Sequence, residues 1–373
     1  MGRPVADEAK RIVVKLGSST LTGPDGRPDR GYLASLVGQI AELMCRGSEV
    51  VLVSSGAIAA GLEALGLASR PDDIPTLQAV ASVGQVRIIG TYAELFHEHG
   101  LAVGQVLLTR QDTAHRQQYV NACHTFERLL AAGAVPIVNE NDTTAVDEIR
   151  FGDNDTLAAL VGIMVKADLV LLLTDIEGLY SADPRTTEEA CLLERVEEVT
   201  PDVEAAAGGP GSGLGSGGMS TKIEAAKALM KAGIPTVVCD GRRAHVLADA
   251  VAGEPVGTLF AGGESALAGR KLWIAFAKQP AGSVTIDDGA REALCLRGKS
   301  LLPAGVIGVS GTFSAGDAVT IQDREGTVIA RGLSGLSSED LDRVKGMKSS
   351  DIAALSPDLG GTEVVHRDCL AIM

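Results

Sequence analysis

The stretch IVVKLGSS, residues 12–19, is a short apolar run that ends in a lysine, a glycine and two serines. Its apolar residues are mostly β-branched or leucine, as is typical of a strand in a parallel sheet that is covered on both faces. A lysine at the end of such a strand, followed by small residues, can reach phosphate oxygens while backbone N–H groups approach them closely. Taken alone, Lys15 could equally be a solvated lysine. The stretch therefore predicts a buried strand with a candidate anion site at its end.

Similar apolar runs recur along the first 262 residues and are separated by segments with helical periodicity. After the first strand, apolar residues from Leu33 to Met44 repeat at intervals of three and four, and Gly47 ends this helix. The alternation predicts right-handed parallel crossovers, and hence an α/β three-layer sandwich with a mainly parallel sheet. Ligands of such sheets bind at the carboxyl ends of the strands. The other predicted strands are Val50–Val53, Val103–Leu108, Val135–Val138, Leu169–Leu173 and Thr236–Cys239, and the other predicted helices are Leu77–His97, Tyr119–Leu130, Thr156–Val165 and Lys222–Lys231.

The sequence changes character after residue 262. Residues 263–280 are typical of a linker, and residues 281–373 contain short strand-like runs separated by turn signals such as Asp287-Asp288-Gly289. We therefore expect one large domain over residues 1–262 and a small, mostly β second domain over residues 281–373. Its predicted strands are Ser283–Ile286, Val306–Val309, Ala318–Ile321, Thr327–Ala330 and Val364–His366.

The composition limits the classes of function. The chain has 373 residues, 45% of them hydrophobic, and 48 Asp and Glu exceed 33 Lys and Arg to give a formal charge of −15. The apolar share is that of a globular protein. The acidic balance disfavours extended contact with nucleic acid or an anionic membrane, because the long-range field has the wrong sign. A small anionic ligand stays compatible with it, since its binding depends on local groups.

The cysteines and the N-terminal residues bear on the compartment. The six cysteines are widely spaced and include no C-x-x-C pair, so we expect reduced thiols and no zinc site. Residues Met1–Lys10 are polar and lack the apolar core of a signal peptide. No run reaches the roughly 18 apolar residues of a membrane span. The sequence therefore predicts a soluble cytoplasmic protein.

Polar motifs follow three other predicted strands. Ser54–Ser55 opens a helix and offers N–H and O–H donors to a carboxylate or phosphate, although it could be an ordinary N-cap. The motif Asn139–Asp142 (NEND) could accept an ammonium group and donate to carboxylates, as an amino acid substrate requires. Thr174–Asp175 also ends a strand, with turn formation as the alternative.

Two further motifs precede helices. Gly152–Thr156 (GDNDT) could cap a helix through Asp153, or its carboxylates could order lysines and bind a substrate amine. Gly208–Lys222 (GGPGSGLGSGGMSTK) is a glycine-rich segment that enters a helix carrying a lysine, which favours an anion-binding loop over a flexible linker. Thr221 and Glu224 are spaced as a capping box, which predicts Thr221 as the N-cap of that helix.

Six segments occur in a fixed order along the chain: IVVKLGSS, VSSGAIAAG, PIVNEND, FGDNDTLAA, LLLTDIEGLYSADPR and SGGMSTKIEAA. Their order and spacing closely resemble those of the glutamate 5-kinases, within the amino acid kinase superfamily, and the resemblance spans nearly the whole chain. The lysine–glycine strand end is shared across the superfamily, whereas SGGMSTK, and GDNDTL with NEND, are more specific. The C-terminal part, from GTLFAG to VVHRD, is similar to the PUA domain, a small mostly β barrel, that many of these enzymes carry.

The resemblance implies ATP-dependent phosphorylation of the side-chain carboxylate of L-glutamate, the first step of proline biosynthesis, with Mg²⁺ as cofactor. It also implies feedback inhibition by proline and assembly into a homo-oligomer, a dimer or a tetramer. Lys15 and Lys222 would neutralise the phosphoryl group in transfer, and Asp155 would hold those lysines in place. Glutamate binding would fall to Ser55, Asn139, Asp142 and Asn154, and nucleotide binding to Lys15, Thr174, Asp175, Ser216, Gly217, Gly218, Met219, Ser220, Thr221 and Lys222.

The chemistry of the residues agrees with this resemblance, and two alternatives stay open. A glutamate side-chain carboxylate has a pKa of about 4.3, so it is ionised at neutral pH and needs no general base. One alternative is another small-molecule kinase of the same superfamily. The other is RNA binding through the PUA-like domain, but residues 280–373 carry 9 Lys and Arg against 13 Asp and Glu, so a basic footprint is missing.

Overall fold

The computed structural model describes residues 9–23, 26–109, 112, 116–144, 154–182, 184, 187, 189–207, 218–263, 280–348, 351–352 and 363–373. These residues form two compact units, one up to Gly263 and one from Pro280 onward. Among the helices described, none combines the length and the apolar character needed to cross a membrane.

The first unit is built on an eight-stranded sheet. Its strands are β1 (Arg11–Leu16), β2 (Glu49–Ser54), β3 (Val103–Leu108), β4 (Val135–Glu140), β5 (Leu169–Thr174), β6 (Arg195–Val196), β7 (Thr236–Asp240) and β8 (Thr258–Phe260). They lie in the order β3-β4-β2-β1-β5-β7-β8-β6. Among the described strands of this sheet, β7 and β8 pair in the antiparallel sense and the other neighbours are parallel. Strands β4, β2, β1, β5 and β7 are neighbours and parallel, so their carboxyl ends meet at one edge of the sheet.

Helices cover both faces of this sheet. The helices of the first unit are α1 (Ser18–Leu21), α2 (Arg30–Cys45), α3 (Ala57–Leu65), α4 (Ile74–Glu98), α5 (Arg116–Ala131), α6 (Asn154–Val165), α7 (Pro201–Ala206), α8 (Met219–Lys231) and α9 (Val246–Val251). Alternate residues of β1 (Ile12, Val14 and Leu16) share one core with α2 and α4. On the opposite face α6 packs against β1, β2, β4 and β5. The predicted three-layer sandwich with a mainly parallel sheet is therefore confirmed.

Helix α6 is buried almost all round, because it lies centrally on its face of the sheet. Every residue from Asn154 to Val165 is buried except Thr156, which is partly exposed. A helix that is apolar on all sides is typical of this position. Its two polar starting residues, Asn154 and Asp155, are therefore held inside the protein near the strand ends.

In its described residues, the second unit has a five-stranded sheet, short helices and a core of its own. Its elements are β9 (Gly282–Ile286), α10 (Asp288–Cys295), β10 (Val306–Gly311), β11 (Ala318–Gln322), β12 (Val328–Leu333), α11 (Ser338–Val344) and β13 (Leu370–Ile372). The strand order is β10-β9-β11-β12-β13, and β9 pairs with β11 in parallel while the other pairs are antiparallel. A small, mostly β unit is therefore confirmed here.

Two local predictions are wrong. Val364–His366 is not a strand, since Val365 makes a single bridge to Leu301 and the last strand is β13. Both valines are fully buried, so core packing rather than strand pairing accounts for this apolar run. Thr221 is not an N-cap, because α8 begins at Met219 after Gly218 and the Thr221 hydroxyl is directed at a buried carboxylate.

Candidate active site

Three charged side chains meet at the end of β1. The alternation of the strand turns Lys15 away from Val14 and Leu16 and toward α6. Lys15 Nζ lies 2.5 Å from Asp155 Oδ1, and Lys222 Nζ, from α8, lies 3.1 Å from Asp155 Oδ2. The exposed fractions are 4% for Lys15, 0% for Asp155 and 5% for Lys222. One buried carboxylate thus bridges two buried ammonium groups.

The charge balance of this cluster favours an anionic ligand. Burial raises the pKa of Asp155, but Lys15 and then Lys222 outweigh it, and the pKa of this carboxyl is lowered below its usual range. Two lysine side chains contact one carboxylate, so these three groups together carry one excess positive charge. Burying such a charge is costly unless an anion accompanies it. The cluster is therefore suited to a phosphoryl group.

Thr221 connects the first turn of α8 to the same carboxylate. Its hydroxyl lies 2.8 Å from Asp155 Oδ2 and 2.8 Å from the backbone oxygen of Gly218. Gly218 is the N-cap of α8 and contributes no side-chain cap, so the N–H groups of this first turn are not satisfied by a capping side chain. The first turn of α8 is thus held beside the lysine–carboxylate cluster.

A second, uncharged network joins the ends of β2 and β4 to the start of α6. Asn154 Nδ2 lies 3.0 Å from the backbone oxygen of Ser54, 3.0 Å from Ser55 Oγ and 2.9 Å from Asn139 Oδ1. In the described part of the chain no donor reaches Asn154 Oδ1. This oxygen can therefore accept a hydrogen bond from a ligand.

Asn139 is held from two sides within this network. Its Oδ1 also accepts the backbone N–H of Glu140 at 2.9 Å, and its Nδ2 donates to Gln85 Oε1 of α4 at 2.8 Å. Ser54 is held in a similar way, since its Oγ lies 2.8 Å from the hydroxyl of Tyr92. Burial raises the pKa of Tyr92, so this phenol stays neutral.

The four residues predicted to bind glutamate line a single cavity of about 320 Å³. Its lining also contains Glu140 of the NEND motif, the serines of α1 and Arg70, which no motif marked. The cavity lining thus contains both acidic and basic side chains, which suits a zwitterionic ligand. The predicted residues in the lining are Ser55, Asn139, Asp142 and Asn154.

The start of α3 forms part of the cavity wall and depends on Gly56. This residue has a φ of +98°, in the left-handed region that favours glycine. A Cβ at this position would lie 2.7 Å from Leu21 Cδ2, so a larger residue would also push against α1. Gly56 therefore permits Ser55 and the first turn of α3 to face the cavity.

The predicted nucleotide residues lie at the same edge of the sheet. Thr174 ends β5, the neighbour of β1, and its Oγ1 donates to Asp175 Oδ1 at 3.1 Å. Thr174 is buried, whereas Asp175 is exposed. Met219, Ser220 and Thr221 form the first turn of α8. Ser216 and Gly217, like Gly152 and Asp153, lie outside the described residues.

Three supporting residues escaped prediction because their contacts are made across long stretches of chain. Gln85 and Tyr92 lie within the predicted helix Leu77–His97 and reach Asn139 and Ser54. Arg70 lies between α3 and α4, and nothing in its sequence neighbourhood marks it as a cavity residue. Composition and periodicity treat all three as ordinary polar positions of a helical region.

Comparison with known proteins agrees with this geometry. The model of the amino acid kinase family matches residues 10–240, and the model of the PUA domain matches residues 282–355. The chain belongs to the amino acid kinase family.

Relatives along the full length narrow this assignment. A glutamate 5-kinase of Geobacter sp. (strain M21) is 46% identical over 373 residues, covering 100% of both chains. A glutamate 5-kinase of Myxococcus xanthus (strain DK1622) is 49% identical over 372 residues, covering 100% of this chain and 98% of its own. The UMP kinase of Bacillus anthracis has a TM-score of 0.46 at 16% identity, covering 68% of this chain and 96% of its own. Within the family, the chain thus groups with the glutamate 5-kinases.

Proposed function

We propose that this kinase transfers the γ-phosphoryl group of ATP to the side-chain carboxylate of L-glutamate, forming L-glutamyl 5-phosphate and ADP, the first step of proline biosynthesis. The observation that carries the proposal is the buried Lys15–Asp155–Lys222 cluster at the sheet edge that also holds the cavity. The names of the full-length relatives support the same reaction.

The proposed reaction needs positioning and charge stabilisation rather than proton transfer. One oxygen of the ionised glutamate carboxylate attacks the γ-phosphorus, and the bond from that phosphorus to the β,γ-bridging oxygen breaks. The electron pair of that bond leaves with ADP. Lys15 and Lys222 would face the phosphoryl oxygens as charge spreads over them, and Asp155 would keep both ammonium groups in place.

The cavity accounts for the amino acid end of the substrate. We place the ammonium group of glutamate against Asp142 and the Oδ1 atom of Asn154, which is open to a ligand. The α-carboxylate would meet Arg70 and the N–H groups at the start of α3, where a helix N-terminus favours an anion. The side-chain carboxylate is then left for the end of β1, where the phosphoryl group is transferred.

The nucleotide would lie along the ends of β5 and the start of α8. Thr174, Asp175 and the first turn of α8 supply the polar groups there. Mg²⁺ would be carried by the phosphates of ATP, since this ion keeps several waters and binds few protein ligands. Asp155 fits the lysines better than a metal, because Lys15 and Lys222 contact its two oxygens.

Other features of the protein rest on the sequence pattern or on the resemblance and stay predictions. These are a kinase domain over residues 1–262, a linker over 263–280, a PUA-like domain over 281–373, a homo-oligomer, inhibition by proline and a cytoplasmic location.

An acyl-phosphate trap tests the proposed reaction. Purified protein is incubated with MgATP and hydroxylamine, and the hydroxamate is measured with glutamate, N-acetylglutamate and aspartate as separate substrates. UMP, whose phosphorylation forms no hydroxamate, is tested by the release of ADP alone. We expect hydroxamate with glutamate alone, together with one ADP for each hydroxamate. Preferred use of another substrate, with little product from glutamate, would identify a different kinase of the family.

A further inference from the structure

We propose that Gly84 and Gln85, adjacent in α4, are positioning residues that fix two walls of the glutamate cavity. The inference rests on the proposed function, because the cavity is taken to bind glutamate. Neither residue is part of the cavity lining. Each acts through a residue that is.

Gly84 brings α4 into direct backbone contact with α3. A Cβ on Gly84 would lie 1.7 Å from the backbone oxygen of Ala57 and 2.5 Å from the backbone nitrogen of Gly61. No side chain fits at such distances, so the two helices are as close as their backbones allow. Ala57 is the first residue of α3 and lines the cavity. The absence of a side chain at Gly84 therefore determines the position of the cavity wall that the start of α3 forms.

Gly61 completes the contact from the side of α3. A Cβ on Gly61 would lie 2.0 Å from the backbone oxygen of Val80, one helical turn before Gly84. The two glycines thus face each other across the same crossing, and α3 has little freedom to shift along α4.

Gln85 fixes a second wall, at the end of β4. Its Oε1 accepts a hydrogen bond from Asn139 Nδ2 at 2.8 Å, across 54 residues of sequence. Asn139 Oδ1 in turn accepts from Asn154 Nδ2 at 2.9 Å. The amide plane of Asn139 is therefore held in one orientation, and Asn154 Oδ1 is left open to the ligand. Without Gln85 the Asn139 amide could rotate and disturb this network.

One short segment of α4 consequently sets the distance between the start of α3 and the end of β4. The glutamate site depends on that distance, whereas the elements that α4 packs against most extensively in the described residues, α2, α3 and β3, contain none of the predicted nucleotide residues. We therefore expect changes at Gly84 and Gln85 to weaken glutamate binding selectively.

The first experiment compares Gly84→Ala with Gly90→Ala. Gly90 lies in the same helix, and a Cβ there meets nothing within 4 Å, so the two substitutions share their effect on helix propensity. We expect Gly84→Ala to raise the glutamate KM by about tenfold or more, because α3 must move to relieve the overlap. The ATP KM should stay within about twofold, and Gly90→Ala should behave as wild type.

The second experiment does not depend on Gly84→Ala folding. Gln85→Ala removes the acceptor of Asn139 and should raise the glutamate KM by about tenfold. Gln85→Glu keeps an acceptor oxygen at the same reach and should restore a KM near the wild-type value. If Gln85 had a purely structural role, both variants would change Tm, and the glutamate KM would not differ between Gln85→Ala and Gln85→Glu.

The outcomes separate this inference from the proposed function. A glutamate KM for Gln85→Ala within about twofold of wild type, or an equal rise in the ATP KM, would overturn the positioning role. A wild-type protein that forms no hydroxamate from glutamate would instead overturn the proposed function.

Discussion

At the scale of single residues, the centre of the site is a carboxylate between two ammonium groups. Lys15, Asp155 and Lys222 come from three elements that are far apart in the sequence. Each of them sits in a motif whose polar character is visible without a structure. Their contact, and the excess positive charge that results, follow from the packing of α6 and α8 on the sheet.

Lys222→Ala should remove most of kcat while leaving the fold intact. Loss of one charge that stabilises the transferring phosphoryl group is expected to cost about 10²–10³ in kcat. Lys227→Ala is a matched control, since Lys227 lies in the same helix and pairs with Glu204 and Glu224 at the surface. Turnover of Lys222→Ala within a few-fold of wild type, in a protein with a normal circular dichroism spectrum, would contradict the role.

Asp155→Asn should destabilise the protein in a pH-dependent way. At neutral pH it leaves two buried ammonium groups without their carboxylate, at a cost of about 3–5 kcal/mol in the free energy of unfolding. Because the pKa of Asp155 is lowered on folding, its stabilising contribution is complete above the unfolded value of about 3.9 and is lost as the pH falls below it.

The measurement is denaturant unfolding of wild type and Asp155→Asn from neutral pH down to about pH 3. The difference between the two free energies should shrink as the pH falls below the unfolded pKa, because the unfolded Asp155 then takes up a proton while the folded carboxyl, whose pKa is lowered, resists it. Asp249→Asn, at a surface pair with Arg243, serves as the control. A difference between wild type and Asp155→Asn that stays constant over this range would count against the assignment.

Asp142→Ala should chiefly raise the glutamate KM, because the side chain lines the cavity where the ammonium group is placed. We expect a rise of about tenfold or more with a smaller change in kcat. Glutarate, which lacks the ammonium group, provides the control substrate, since its KM should not change on this substitution. An unchanged glutamate KM would rule out the assignment.

At the scale of elements, the turn α1 is held in place by a residue of the loop after β7. Arg242 donates to the backbone oxygens of Thr20 at 3.0 Å and Thr22 at 2.9 Å, and it pairs with Asp29 at 3.2 Å. Its guanidinium also lies over the ring of Tyr32, 5.0 Å from the centroid. These contacts fix the turn whose serines line the cavity.

Arg242→Ala should therefore impair catalysis although the residue lies outside the cavity lining. Without the guanidinium, the two carbonyl groups lose charged donors, and we expect kcat/KM for glutamate to fall by about tenfold or more. Arg243→Ala is the neighbouring control, because Arg243 pairs with Asp249 at the surface. Equal effects of the two substitutions on kcat/KM would show that α1 does not depend on Arg242.

The start of α8 shows why a local pattern can mislead. Thr221 and Glu224 have the spacing of a capping box, yet the helix starts at Met219, three residues earlier than that spacing predicts. A threonine hydroxyl can bond to a helix N-terminus or to a distant carboxylate, and sequence spacing does not distinguish them. In this fold the hydroxyl lies 2.8 Å from Asp155, so α8 is held by a long-range contact.

At the scale of the whole molecule, the charge of −15 describes the surface and not the site. The positive charges that matter are buried at the end of β1 and the start of α8. The second unit has its own core, formed by residues such as Val319, Leu341 and Val364, and residues 282–355 match the model of the PUA domain. Its sequence is acidic overall, unlike the basic footprint of RNA-binding surfaces.

We therefore expect no salt-sensitive binding of RNA. A fluorescent single-stranded RNA titrated with the full chain at low and at moderate ionic strength should show no saturable change in anisotropy. A basic RNA-binding protein serves as the positive control. Binding that weakens steeply with salt would indicate phosphate contacts and would revive the alternative function.

The sequence by itself determined the α/β class, the strands that carry the motifs and most of the candidate site. It did so because buried parallel strands are short apolar runs, and because ligand groups of such sheets follow those runs directly. Ser55, Asn139 and Asp142 follow such strands and Asn154 starts a helix; the resemblance implies that all four bind glutamate, and they line one cavity.

Only the tertiary structure decided which residues support that cavity. Gln85 and Arg242 act through contacts made across long stretches of chain, and Arg70 joins the cavity lining from the segment between two helices. The closeness of α3 and α4 depends on a glycine that nothing in the sequence of its helix distinguishes. Hydrogen bonds and close packing depend on distances in space. For residues that are far apart in the sequence, those distances are set by the folding of the chain. The sequence therefore predicts the reacting groups, and the fold selects the residues that hold them.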